Sequence, residues 1–142
     1  IFRKPLLKGM KVSDCLREFQ TGGIRRYPNN LPFEDVIESE RTPRRERDIV
    51  SHPSLKPQSL LRRLVYVILP LGEGMIADPF MGSGSTIAAA EAVGTRAVGI
   101  ERHRDYFDAA SKAISRLKAL HVPGIDQLLN VKHDQKELFA RV

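Results

Sequence analysis

The segment Asp-Pro-Phe-Met-Gly-Ser-Gly-Ser-Thr, Asp78 to Thr86, constrains the fold more than any other part of the chain. It follows a short apolar run, Met75-Ile76-Ala77, and precedes an alanine-rich stretch, Thr86 to Val93, closed by Gly94. The run reads as a buried strand and the alanine-rich stretch as a helix. Two glycines, Gly82 and Gly84, let the backbone bend sharply and let a ligand approach the main chain. The helix after them offers unpaired N–H groups to an anion. Arg96 to Ile100 reads as a second strand, and Glu101 ends it, seventeen residues past Gly84. An acid there is placed to accept hydrogen bonds from both hydroxyls of a ribose.

The next segment repeats apolar residues at Tyr106, Ala110, Ala113, Leu117 and Leu120, the stripe of an amphipathic helix. Strand, glycine turn, helix, strand, acid, helix is the first half of a doubly wound α/β sheet, expected to be parallel. The turn departs from the dinucleotide fingerprint, because Ile87 stands where the third glycine would be. No Gly-Lys-Ser/Thr occurs, which excludes a nucleoside-triphosphate P-loop. Two readings stay open on these residues: a pocket for a nucleoside-bearing ligand with no strict pyrophosphate requirement, or a tight turn that binds nothing.

Around this unit the chain divides into residues 1–50, 51–120 and 121–142. In the first stretch, breakers at Gly22-Gly23, Pro28-Asn29-Asn30, Pro32 and Pro43 leave a loop-rich segment. One short helix is expected near Val12 to Phe19, and Ile1 to Pro5 reads as the end of a strand. From Pro57, Leu60, Leu61, Leu64, Val65 and Ile68 recur at helical spacing until Pro70 and Gly72 stop them. The last stretch reads as a polar tail, broken at Pro123-Gly124 and helical from Asp134.

Charge follows the same division. Residues 1–63 hold 14 Lys plus Arg against 8 Asp plus Glu, whereas residues 64–142 hold 9 of each, so the first part carries the whole net charge of +6. Such asymmetry points to a polyanionic partner, usually nucleic acid, or to a solvated basic surface. The single cysteine, Cys15, rules out an internal disulfide and a Cys-cluster metal site, and no metal is expected. One cysteine fits a reducing compartment, so the expected location is cytoplasmic. No apolar run approaches the roughly 20 residues of a membrane helix. The chain begins at Ile1 rather than Met and reads as an excerpt of a longer one.

Asp78 to Thr86 resembles the cofactor motif of DNA methyltransferases that act on exocyclic amino groups, where it typically reads Asp-Pro-Phe-x-Gly-Ser-Gly-Thr-Thr. Ser85 replaces the usual first Thr and keeps the hydroxyl. His52-Pro53-Ser54-Leu55-Lys56-Pro57 resembles the family's His-Pro-x-x-Lys-Pro segment, which precedes a helix lining the cofactor pocket. Gly99-Ile100-Glu101 resembles its Gly-Ile/Val-Glu, whose acid holds the ribose. The likeness spans about residues 51–118. It implies a partial Rossmann-like methyltransferase sheet, the cofactor-binding half, with helices on both faces. It also implies S-adenosylmethionine as cofactor and adenine or cytosine amino groups of double-stranded DNA as target, in restriction–modification. Cofactor contacts are then expected at His52, Lys56, Asp78, Pro79, Phe80, Gly82, Ser83, Gly84, Ser85 and Glu101.

The order of motifs resembles the circularly permuted group, whose catalytic half comes first. Phe2-Arg3-Lys4-Pro5 is similar to the last strand of that half, and Leu6 to Ser51 falls where target-recognition elements are carried. The catalytic motif, Asp/Asn/Ser-Pro-Pro-Tyr/Phe/Trp, is not in this sequence, so no catalytic residue is assigned. The partner expected besides DNA is an N-terminal catalytic half or a second copy. An inactive cofactor- or DNA-binding module and a nicotinamide-binding oxidoreductase fragment are the alternatives.

Arg41 to Arg47 holds four arginines, read either as a DNA backbone clamp, with Arg44, Arg45 and Arg47 as its contacts, or as a charged loop. His52 reads as a locally hydrogen-bonded loop residue rather than a base, and Lys56 as a residue at the start of a helix or a contact to cofactor or DNA. His103 reads as a surface residue at a helix start rather than one abutting the adenine, His121 and His133 as surface, and Tyr66 and Phe107 as core.

Overall fold

The computed structural model describes residues 6–20 and 22–131. Its elements in order are helices α1 (Val12–Phe19), α2 (Arg44–Arg47) and α3 (Gln58–Val67), strand β1 (Met75–Asp78), helix α4 (Ser85–Ala92), strand β2 (Arg96–Gly99), and helices α5 (Arg104–Lys118) and α6 (Ile125–Leu129). The two strands pair in parallel, with Met75 opposite Arg96 and Asp78 opposite Gly99. Helix α4 is the crossover, as a parallel pair requires.

Side-chain alternation decides where the core lies. Ile76 points one way and is buried, together with the half-buried Ala97 and Gly99 of β2. On that face α4 packs with three alanines, Ala88, Ala89 and Ala90, each 0% exposed. Such small side chains let α3 and α5 close on either side of α4. Val65, Ile76, Ala89 and Ala90 form one apolar cluster. Val50, Leu55, Ala88, Ala113, Leu117 and Leu120 form another. The opposite face of the sheet is open: Met75 is 56% and Val98 44% exposed, with Ile100 62% exposed just beyond β2. The expected arrangement of helices on both faces is therefore met on one face only among the described residues. For the same reason the Met75 run is not buried throughout, since only every second residue faces the helices.

Two buried ionic groups hold the outer helices. Arg62 of α3 is 0% exposed and reaches the end of α5, donating to the carbonyls of Leu117, Lys118 and Leu120. The first two belong to the last turn of α5, whose carbonyls a helix end leaves without an α-helical partner, and Leu120 follows it. The same guanidinium pairs with Asp126 of α6 at 2.6 Å, and Asp126 also accepts the Val122 N–H at 2.6 Å. Residues 121–131 are thus not merely a polar tail: α6 buries Asp126 and Leu129.

The helix expected over Val12 to Phe19 is α1. Four of the residues read as an arginine clamp or loop form the single turn α2. Phe107 is 41% exposed, not core, because it lies off the Ala110–Ala113–Leu117 stripe, whereas Tyr66 is 7% exposed, as expected. Ile1 to Pro5, His133 and the helix from Asp134 lie outside the described residues.

Candidate functional site

Parallel pairing carries on past the strands and builds the site at their carboxyl ends, where open α/β sheets place ligands. The Ile100 N–H donates to the Asp78 carbonyl at 2.9 Å, and the Met81 N–H donates to the Ile100 carbonyl at 3.0 Å. These bonds set the glycine turn beside Glu101. Gly82 and Gly84 both have positive φ, at 50° and 75°. Gly82 is needed for a second reason: a Cβ there would sit 2.9 Å from Cε1 of the His52 ring. The imidazole thus packs directly on the turn.

The Glu101 carboxylate accepts the Gly82 N–H at 3.0 Å through Oε2 and the His103 N–H at 2.8 Å through Oε1. The His103 N–H, first among the causes, holds this carboxyl below its ordinary value, against a smaller opposing effect of desolvation. A depressed carboxylate favours the fold above its unfolded value, and that contribution is lost as pH falls through the lowered value. Each oxygen keeps lone-pair capacity on its other side.

A cavity of about 350 Å³ opens over this turn, within the usual range for a small-molecule site. His52, Lys56, Asp78, Phe80, Gly82, Ser83, Ser85 and Glu101 line it, so eight of the ten residues expected at a cofactor come together. Pro79 and Gly84 do not line it. Gly84 is turned to α5, where a Cβ would meet Ile114 Cγ1 at 2.7 Å. Ser83 and Ser85 are buried and share a hydrogen bond of 2.6 Å. Next to them the first-turn N–H groups of α4 have no intrahelical acceptor. Phe80 is 88% exposed, and its N–H donates to Asp78 Oδ1 at 3.1 Å.

Sequence reasoning missed one member of the aromatic wall. Tyr106, read as the first residue of the α5 core stripe, instead lines the cavity and meets the His52 ring edge-on at 4.5 Å. His103 lines it too and lies 5.7 Å from the Tyr106 ring. The signal available was position: Tyr106 starts the stripe one turn before the first buried alanine, at the end of the helix nearest Glu101. His52 Nδ1 accepts the Ser54 N–H at 3.0 Å, so its local hydrogen bond is as expected and a neutral ring carries its proton on Nε2. Among the described residues no group of three or more His, Cys, Asp or Glu could hold a metal ion.

A family model described as DNA methylase, for N6 and N4 methyltransferases, matches residues 7–112. The chain belongs to this family.

Two similar proteins are the type II methyltransferase M2.DpnII of Streptococcus pneumoniae, 35% identical over 82 residues, and the type II methyltransferase M.HinfI of Haemophilus influenzae, 37% identical over 68 residues. The matches cover 58% and 48% of this chain but only 30% and 19% of the relatives. The fold agrees with a crystal structure of an M1.HpyAVI–SAM complex, with a TM-score of 0.51 at 24% identity over 63% of this chain and 42% of that one. That likeness is one of fold, and the two-stranded parallel sheet is a partial Rossmann-like one.

Proposed function

We propose that this chain is the cofactor-binding part of a site-specific DNA methyltransferase that uses S-adenosylmethionine to methylate the exocyclic amino group of adenine or cytosine. The observation that carries this reading is one cavity at the carboxyl ends of two parallel strands. It gathers the glycine turn, the start of α4 and the Glu101 carboxylate, in a chain of the N6/N4 DNA methylase family. The names of the relatives, type II methyltransferases, and the SAM complex of the structural neighbour support it.

The donors and acceptors present fit such a ligand. Glu101 has acceptor capacity left for two ribose hydroxyls after its bonds to Gly82 and His103. The α4 N-terminus and the Ser83–Ser85 hydroxyl pair suit a carboxylate, because N–H groups and the helix dipole favour negative charge there. His52 and Tyr106 supply an aromatic flank, and Lys56 lies exposed at the rim. When bound, the cofactor supplies a methyl group on a sulfonium, an electrophile. This chain's residues bind and orient it. The acceptors that would sharpen a base's amino group belong to the Pro-Pro-aromatic motif, which is not in the sequence. In this reading residues 51–120 are the cofactor half-domain, 1–50 the end of the catalytic half plus target-recognition loops, and 121–142 a C-terminal tail. Arg44, Arg45 and Arg47 contact DNA phosphates, which position a duplex without reading it. The open sheet face with Met75, Val98 and Ile100 is covered by a catalytic half or a second copy. No helix among the described residues is long and apolar enough to cross a membrane; the proposed location is the cytoplasm.

Calorimetric titration of the folded chain with S-adenosylmethionine and with its demethylated product tests the reading. Saturable heat is expected with both, and none with either would overturn it. Glu101→Ala is expected to weaken the cofactor about tenfold or more. Glu101 also ties down Gly82 and His103, so Glu101→Gln serves as the control. It keeps an acceptor oxygen and is expected to lose less. Equal affinity of Glu101→Ala and the parent chain would remove Glu101 from the ribose.

A further inference from the structure

Helix α2 is a single turn in which one residue, Glu46, is buried. Glu46 is 1% exposed, while Arg44, Arg45 and Arg47 around it face solvent. Its Oε2 accepts the backbone N–H of Gln58, the first residue of α3, at 3.0 Å. Gln58 is itself 0% exposed, and its side-chain amide donates to the Ser85 carbonyl at 2.9 Å, at the start of α4. A second tie joins the same segments: Thr42 Oγ1 donates to the Leu55 carbonyl at 2.8 Å. The arginine turn is thus fastened to residues 55–58, beside Lys56 at the rim of the cavity, and through Gln58 to the glycine-turn helix.

A four-residue helix, here three arginines and Glu46, has no stability of its own, because it is shorter than its nucleation cost allows. Something must hold it, and an apolar side chain in this position would do so with less penalty. Desolvation instead raises the Glu46 carboxyl above its ordinary value, against the opposing pull of the Gln58 N–H, Arg45 and Arg62. With the folded value raised, any gain in stability is present below the unfolded value and is lost as pH rises through the raised one. Ionising Glu46 therefore costs the fold stability that its protonated form does not. What a carboxylate adds over an apolar anchor is direction: one hydrogen bond to one N–H fixes the rotation of the turn and so where its three arginines point.

We propose that Glu46 is a positioning residue for polyanion binding, holding Arg44, Arg45 and Arg47 as one preorganised phosphate-binding surface beside the cavity. The proposal rests on the DNA reading above. Preorganised donors lose less freedom on binding than side chains on a wandering loop. Arg44 is already partly oriented by Asp48 at 3.8 Å, so Arg45 and Arg47 depend most on the turn.

The experiment is a salt titration. A fluorescent duplex of mixed sequence is bound to the full chain at several salt concentrations, and the log–log slope is read for each variant. Replacing Arg44, Arg45 and Arg47 together by Ala is expected to flatten the slope by up to about 0.9 for each phosphate no longer neutralised. Glu46→Leu, which keeps the buried bulk without the acceptor, is expected to flatten it by about 0.9 or more with every arginine present. Glu46→Gln keeps an acceptor of the same reach and is expected to hold the parent slope. Should Glu46→Leu fail to fold, Gln58→Pro deletes the same bond from the donor side together with the side-chain bond to the Ser85 carbonyl, and Gln58→Leu, which loses only the latter, is its control. Proline is tolerated there because Gln58 is the first helical residue and Pro57 is already extended, at ψ 136°. Its slope is expected to fall like that of Glu46→Leu. A merely structural role would lower the melting temperature and leave the slope of the folded protein unchanged. That result, or a Glu46→Gln slope as flat as that of Glu46→Leu, overturns the proposal while the arginine variant still tests the DNA reading. Binding by the parent chain that ignores salt overturns both.

Discussion

Replacing Arg62 by Met is expected to destabilise the fold by about 3–5 kcal/mol, the cost of breaking a buried ion pair from one side. For a chain of this size that lowers the melting temperature by about 10–20 °C. Methionine keeps the bulk but supplies no donor. The carbonyls of Leu117, Lys118 and Leu120 lose the guanidinium at the end of α5. Asp126, 3% exposed, keeps the Val122 N–H and the His121 ring at 3.3 Å but loses its buried cation. The measurement is thermal and urea unfolding of Arg62→Met, of Asp126→Asn and of the two together. The second change removes the stranded charge and leaves an oxygen for Val122, so part of the loss is expected back. Losses that simply add would show that Arg62 acts through packing and α5 alone, without coupling to Asp126.

That pair also shows where sequence reading stops. Arg62 and Asp126 are 64 positions apart, and each is an ordinary charged residue on a helical or polar stretch. No period or motif marks them as partners, and the charge of α6 hides its apolar side. The same holds for Glu46 and Gln58, whose burial depends on how α2 meets α3. By contrast, the parallel pair, the glycine turn and Glu101 were legible because each is local. Strand, turn, helix and acid occur within one short stretch, and backbone geometry forces the acid beside the turn once the strands pair. The cavity residues His52 and Lys56 came from motif resemblance, not from periodicity. Tyr106 was hidden by periodicity, since it continues the stripe of Ala110 and Ala113 while facing the cavity instead of the core. The exposure of Met75 and Val98 was not legible for a related reason. A three-residue apolar run cannot say how many of its residues a second layer of helices will cover.

Gly84→Val is expected to be the most damaging change at the turn, and its physics differs from that of Gly82. Gly84 holds φ of 75° as the residue before α4, a left-handed conformation that a β-branched residue adopts at a cost of about 1–2 kcal/mol. Its Cβ would also lie 2.7 Å from Ile114 Cγ1 and 3.3 Å from Ala110 Cβ, both on α5. Ala110 is 0% exposed and cannot give way, so overpacking adds about 1–3 kcal/mol. Together these amount to about 2–5 kcal/mol of stability. Relief requires α4 to move away from α5, and its first turn carries Ser85 and Thr86 into the cavity wall. Cofactor affinity is therefore expected to fall along with stability, although Gly84 does not line the cavity. The double variant Gly84→Val with Ile114→Ala separates the two causes. Removing the Ile114 branch makes room for one of the new methyl groups, so the steric part of the loss should return while the backbone strain remains. Unfolding and cofactor titration of both variants, read against Ile114→Ala alone, decide it. Full recovery in the double variant would mean that the left-handed backbone costs nothing here. No recovery would mean that the helix contact was not the obstacle, and that the turn's conformation alone demands glycine.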